Sequence, residues 1–142
     1  MSDFTTDEMK SFNQTVIDEF RANGGETSGA FAGAPLLLLN STGAKSGEIR
    51  TSPVVHTRDG DRYVIIASKA GADTNPSWYH NLLANPRATI EVGTETITVE
   101  ASTAEGDERT RLYDAQAALM PNFAEYAEAT TRQIPVFILT PV

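Results

Sequence analysis

Three cations stand out by their setting: Lys45 in the turn Gly43-Ala44-Lys45-Ser46-Gly47, Arg50 five residues further on, and Lys69 in the segment Ser68-Lys69-Ala70-Gly71. Lys and Arg side chains presented beside uncommitted backbone amides are a common way to hold a phosphate or a carboxylate. The turn follows the apolar run Leu36 to Leu39, and its two glycines bracket a tight reversal before the chain straightens into the next strand. Taken alone, the simpler reading of Gly-Ala-Lys-Ser-Gly is an ordinary solvated hairpin turn.

Other chemistries find less support. The glycine-to-lysine spacing is too short for a P-loop and a strand, not a helix, should follow. No G-x-G-x-x-G follows a strand, so a nicotinamide-binding crossover is not expected. His56 and His80 fall on different elements without a spaced acidic partner, which points to structural or surface roles, and no metal site is expected. The absence of cysteine excludes disulfides, thiolate metal sites and cysteine nucleophiles and fits a reducing compartment. Tyr113 and Tyr126 are candidate proton donors or hydroxyl ligands, although tyrosines packed against helices are the commoner case. Trp78 and Tyr79 in isolation read as core anchors. Their place within a dozen residues of the Lys69 loop, next to the cationic turn, is also how a site for a flat anionic heterocycle is built.

The charge distribution narrows the ligand class. The 142-residue chain carries a net charge of −8, which argues against nucleic acid or an anionic membrane as a bulk partner. Residues 1–30 hold two basic and six acidic side chains, residues 31–87 six and four, and residues 88–142 three and nine. The only positive balance lies where Lys45, Arg50 and Lys69 lie, so an anionic small molecule fits that region best.

The elements that must position these residues follow from periodicity. Thr5 with Glu8 makes a capping box, and Met9, Phe12, Val16 and Phe20 recur at helical spacing until Gly24-Gly25. Its charged face predicts packing on the domain or on a partner subunit rather than on a membrane. Residues 24–33 read as a hinge or as a loop that orders over a ligand. Strands are expected at Ala34 to Asn40, Ile49 to Thr57, Arg62 to Ala67, Ala88 to Val92, Glu95 to Ala101 and Ile134 to Thr140. Arg58-Asp59-Gly60-Asp61 and Gly93-Thr94 are hairpin turns, and Ile97, Val99 and Ala101 share one face. Asn75 caps a short helix with Pro76 at its first position, a longer helix runs from about Asp107 to Met120, and Asn122 with Glu125 opens a short one carrying Phe123 and Tyr126. Six strands with mostly local pairing point to a mainly β (α+β) fold, an antiparallel barrel with flanking helices rather than a doubly wound sheet. Length and composition predict one domain over residues 1–142, of which 1–30 form the N-terminal helix and a flexible loop. No stretch is long enough to span a bilayer and no signal-peptide pattern opens the chain, so a cytoplasmic protein is expected.

Three motifs together go further. Thr42-Gly43-x-Lys45-Ser46-Gly47 with Arg50 and Pro53, then Ala67-Ser68-Lys69-Ala70-Gly71, then Asn75-Pro76-x-Trp78-Tyr79-x-Asn81-Leu82-x-Ala84-Asn85-Pro86, resemble the deazaflavin-dependent nitroreductase family of actinobacteria in order and spacing. The resemblance runs from about Leu36 to Ile134-Pro135. It implies a split β-barrel, FMN-binding-like, that binds the 8-hydroxy-5-deazaflavin coenzyme F420, whose lactyl phosphate and oligoglutamate tail are anionic. Flavin mononucleotide is the alternative cofactor within the same barrel superfamily, and a non-catalytic deazaflavin-binding protein is the alternative to an enzyme.

Carried over by position, the resemblance implies that Lys45 and Arg50 hold the phosphate and tail. Ser52, Pro53 and the loop Ser68, Lys69, Ala70, Gly71 would line the deazaflavin, and Pro76, Trp78 and Asn81 would shape its pocket. Tyr126 stands where the family closes the substrate side with tyrosines, and Met120 and Phe123 replace two others. Ala44 stands in place of a family arginine and Ser77 in place of a methionine. The implied activity is hydride transfer to a quinone, an enone or a nitro compound, with Tyr126, Ser68 or water as proton source. Met120 and Phe123 point to a hydrophobic acceptor. Barrels of this kind often pair through their sheets, so a homodimer is a possible assembly.

Overall fold

Leu36 to Leu39 is apolar at every position because its strand is covered on both faces. A computed structural model describes residues 6–26, 35–68, 75–131 and 133–142 of the chain. In order, the elements are α1 (Thr6–Ala22), β1 (Leu36–Thr42), β2 (Ile49–Asp59), β3 (Arg62–Ile66), α2 (Ser77–Ala84), β4 (Arg87–Val92), β5 (Glu95–Thr103), α3 (Gly106–Leu119), α4 (Asn122–Ala129) and β6 (Val136–Pro141). The six strands form a closed antiparallel barrel in the order β1-β2-β3-β6-β5-β4, and β4 returns to β1 through the pairs Leu38↔Glu91, Leu39↔Ile90 and Asn40↔Thr89.

Strand alternation sorts the side chains. Leu37, Leu39, Val54, Ile65, Ile90, Val99, Phe137 and Leu139 face inward as one core, with Ile97 and Ala101 packed against it, and α2 adds Trp78 and Leu82 to the same core. Leu36 and Leu38 point outward and receive Val16, Ile17 and Phe20 of α1. On the neighbouring outer face, Val64, Ile66, Val136 and Ile138 receive Leu112 and Tyr113 of α3 and Phe123 of α4. The strands with continuous apolar runs are therefore those that carry a helix on their outside.

Polar links fix the helices in place. Arg21 of α1 donates from Nε (3.0 Å) and Nη2 (2.8 Å) to the two oxygens of Glu91 on β4. Asn40 of β1 donates to Glu91 Oε2 at 3.0 Å and accepts from Thr51 Oγ1 of β2 at 2.6 Å. Asp59, at the β2–β3 reversal, accepts from Arg111 of α3 at 3.2 and 3.3 Å and pairs with Arg62.

Several boundaries differ from the sequence expectation for identifiable reasons. β1 reaches Thr42, because Ser41↔Arg50 and Thr42↔Ile49 continue the ladder to the edge of the turn. β6 begins at Val136 instead of Ile134, since Pro135 has no N–H for the ladder, although its carbonyl still accepts from Ala67 N–H at 2.9 Å. Pro76, not Asn75, is the residue flanking α2: its extended backbone (φ −66°, ψ 158°) keeps it outside the helix while its carbonyl accepts from Tyr79 N–H at 3.1 Å. Asn122 does not cap α4. Pro121 precedes that helix in helical conformation, and the Asn122 amide instead donates to the Tyr126 hydroxyl at 2.8 Å. Thr5 of the expected N-terminal capping box lies outside the described residues.

Candidate functional site

The β1–β2 turn closes on itself before it meets any ligand. Gly43 N–H donates to the Glu48 carbonyl at 2.7 Å, Gly47 N–H to the Gly43 carbonyl at 3.0 Å, and Glu48 N–H to Ser46 Oγ at 3.2 Å. A side chain at Gly43 would place its Cβ 2.6 Å from Ser46 Oγ and 3.2 Å from the Glu48 carbonyl oxygen, so a larger residue would force Ser46 Oγ away from the contact that closes the turn. Gly47 supplies the left-handed residue of the reversal, at φ 73°.

Asn81 secures the turn from outside. Its side chain is buried on α2; Oδ1 accepts from Ala44 N–H at 3.0 Å, and Nδ2 donates to the fully buried Ser41 Oγ at 3.3 Å. One amide thus ties α2 to both β1 and the cationic turn. Among the described residues, the amides of Lys45 and Ser46 at the tip take no protein partner, fewer than the sequence led us to expect, because four of the turn's amides are already committed.

Around this turn lies an open cleft of about 1030 Å³. Its walls are the turn itself (Gly43 to Ser46), the start of β2 (Ile49, Arg50, Thr51, Ser52), the first face of α2 (Ser77, His80, Asn81) and one side of α1 (Asn13, Gln14, Ile17, Arg21). Lys45, Arg50, Ser52 and Asn81, all singled out from the sequence, are brought together here. Arg50 is more than half exposed and pairs at 3.4 Å with Glu48, itself 72% exposed, a contact in solvent that a ligand anion can displace.

Other predicted residues stand elsewhere. Pro53 is the next residue along β2, opposite Leu38 on β1, and Pro76 flanks α2. Trp78 sits in the barrel core, edge-on to Phe137 with ring centroids 5.8 Å apart. Ser68 is buried just past the end of β3. Lys69, Ala70 and Gly71 lie outside the described residues, as does most of the 24–33 segment. Met120, Phe123 and Tyr126 form a separate cluster: Phe123 is buried against β3 and β6, Met120 and Tyr126 pack on it half-buried, and the Phe123 and Tyr126 rings meet edge-to-face at 5.2 Å. None of the three lines the cleft. Tyr113 is structural, donating its hydroxyl hydrogen to the Phe123 carbonyl at 2.5 Å.

Sequence reasoning missed the α1 wall and His80. Arg21 and Glu91 are 70 residues apart, and only the folded barrel shows that the last turn of α1 reaches the cleft. It also missed the polar pair beneath α3: Thr57 Oγ1 donates to Oε1 of the fully buried Gln116 at 3.4 Å, while Gln116 Nε2 finds no partner. His56 is buried edge-on to Tyr63, and burial pushes its imidazole below the usual range against the opposing pull of its backbone hydrogen bond to Pro35. The hydrogen bonds from Arg21 and then Asn40 hold the Glu91 carboxyl below the usual carboxylate range, against partial burial.

Comparison with known proteins bears directly on this arrangement. The chain matches the family described as F420H(2)-dependent quinone reductase over residues 12–141. It is 39% identical over 125 residues to an F420H(2)-dependent quinone reductase of Mycobacterium tuberculosis, covering 85% of this chain and 84% of that protein. Among solved structures it is similar to an F420-H2 dependent reductase (FDR-A), with TM-score 0.69 and 38% identity over 74% of this chain and 93% of that one. A structure described as a domain-swapped dimer is similar at TM-score 0.71 and 33% identity, covering 94% of this chain and 98% of that one. Family match, sequence identity and barrel agree, and the chain belongs to the F420H(2)-dependent quinone reductase family.

Proposed function

We propose that this F420-dependent reductase transfers a hydride from the reduced deazaflavin to a quinone, and that the cofactor's phosphate and tail are held in the cleft at the β1–β2 turn. The observation that supports this most is the convergence of Lys45, Arg50 and the two uncommitted tip amides on one cleft of about 1030 Å³, in a chain of this family. The residues present fit the group. Two cations and two N–H donors match a phosphate with carboxylates beyond it, and the volume is that of a cofactor-sized site.

Bound there, the reduced deazaflavin supplies a hydride, two electrons at once, to an electron-poor acceptor; the hydride and one proton together convert a quinone to its hydroquinone. The protein binds, orients and excludes water. Lys45 and Arg50 grip the anionic end, Asn81 holds the turn in place, and Ser52, Pro53 and Ser68 would line the ring; Lys69, Ala70 and Gly71, assigned to the ring by the family resemblance, lie outside the described residues. Pro76 and Trp78 act from behind α2, Trp78 by filling the core against which that helix rests. Met120, half-buried on the buried Phe123 in a cluster outside the cleft, is where a hydrophobic quinone would meet an apolar surface if the acceptor reaches past the cleft. Tyr126, on the same cluster outside the cleft, is the candidate proton donor to an acceptor that reaches it; its oxygen accepts from Asn122 at 2.8 Å. Ser68 or water is the other source. Pairing of two copies, supported by the domain-swapped dimer among its structural relatives, is tested by sedimentation.

The test is turnover. Reduced F420 should be oxidised when the protein and a naphthoquinone are both present, and flavin mononucleotide should neither replace it nor raise the melting temperature. Tight binding without turnover across quinones, enones and nitro compounds would instead favour a deazaflavin-sequestering protein.

A further inference from the structure

The helix α1 contributes four residues to the cleft, Asn13, Gln14, Ile17 and Arg21, spaced so that they form one face. Ile17, 4% exposed, anchors that face on the outside of β1. The turn and the start of β2 bring Lys45 and Arg50 to the same cleft. A glutamate chain that stays in the cleft beyond a phosphate held there can run along α2, at Ser77 and His80, or along α1, and of these two walls only α1 carries an Arg or Lys.

Arg21 is prepared for the second course. Its Nε and Nη2 are both committed to Glu91, and Glu91 is held in turn by Asn40 and Asn40 by Thr51, so the guanidinium plane is fixed from the barrel wall. Its Nη1 takes no partner among the described residues. Gln14, by contrast, spends its amide on Asp18 at 2.9 Å. Arg21 also borders a smaller groove of about 210 Å³ whose charged lining residues, among those described, are Arg21, Glu91 and Glu95.

We propose that α1 is the outer wall of the cofactor site and that Arg21 binds carboxylates of the glutamate tail beyond the phosphate, so that the last turn of α1 recognises the tail. This rests on the cofactor reading above. It assigns to α1 a binding role in place of simple packing, and it divides recognition between two walls: the phosphate to the turn, the glutamates to the helix.

The experiment is a binding titration of the full chain with two ligands, F420 bearing its oligoglutamate tail and the same deazaflavin phosphate without glutamates. Wild type should bind the tailed form more tightly. Arg21→Gln should lose about tenfold in affinity for the tailed form and less than twofold for the tailless one. Glu91→Gln breaks the same ion pair but keeps the cation, and should retain the preference for the tail. A loss shared equally by both ligands, no loss at all, or a Glu91→Gln variant that reproduces the Arg21→Gln loss would overturn the proposal and reduce the pair to a fastening of α1. Failure of wild type to bind either ligand would reject the cofactor reading itself, an outcome distinct from all of these.

Discussion

Asn81 carries more of the site than its polarity alone would indicate. Its hydrogen bond to Ser41 Oγ is buried and that to Ala44 N–H half-buried, so removing the amide leaves the Ser41 hydroxyl without a replacement partner. An Asn81→Ala variant should lose about 1–3 kcal/mol of stability by chemical denaturation and bind the cofactor more weakly, because the turn that presents Lys45 is no longer held. Glu48 works in the other direction. It competes for Arg50, so Glu48→Gln should tighten cofactor binding severalfold at low salt, and an unchanged dissociation constant would mean that Arg50 does not meet the ligand. At this scale the sequence was partly legible. Lys45 and Arg50 could be singled out because a glycine-bracketed cation is a local pattern and Asn81 because of the family resemblance, and the fold shows that the three share one cleft. Arg21 could not, because its place at the cleft depends on pairing with Glu91 70 residues away.

Beside their apolar packing, α1 and α3 are fastened by ion pairs that should respond to pH. Arg111 first and then Arg62 hold the Asp59 carboxyl below its usual range, so this attachment of α3 is complete above the pKa of an unfolded aspartate and is lost as pH falls through the depressed folded value. Glu91 behaves in the same sense for α1. His56 adds a separate, higher window. Burial disfavours its charged form, so its contribution is complete above the ordinary histidine range and falls as pH drops from there toward its lowered folded value. A melting-temperature profile should therefore decline in two steps on acidification, with Asp59→Asn removing the lower one in part. The strands and α3 were legible from alternation and spacing. The caps of α2 and α4 were not, since Pro76 and Pro121 occupy the flanking positions that Asn75 and Asn122 were expected to fill.

For the molecule as a whole, a net charge of −8 should repel an anionic cofactor, whereas the cleft attracts it. The sign of the salt effect decides which field the ligand feels. At about 0.15 M salt, charges more than about 8 Å apart are largely screened. If the cations in the cleft dominate, rising ionic strength weakens cofactor binding; if the overall charge dominates, it strengthens it. We expect weakening. The barrel itself was legible because six short strands with local hairpins leave few topologies, yet the closure of β4 on β1 and the seating of α1 over that junction are long-range pairings without a local signal.

The most direct test of the central claim is the affinity of reduced F420 for wild type and for the double variant Lys45→Ala, Arg50→Ala, measured together with circular dichroism to confirm that the barrel is retained. Both side chains are exposed, so the fold should be unaffected and the dissociation constant should rise by about 100-fold, two charge-assisted contacts being lost. An unchanged dissociation constant in a folded double variant would place the cofactor's anionic end elsewhere and contradict the account.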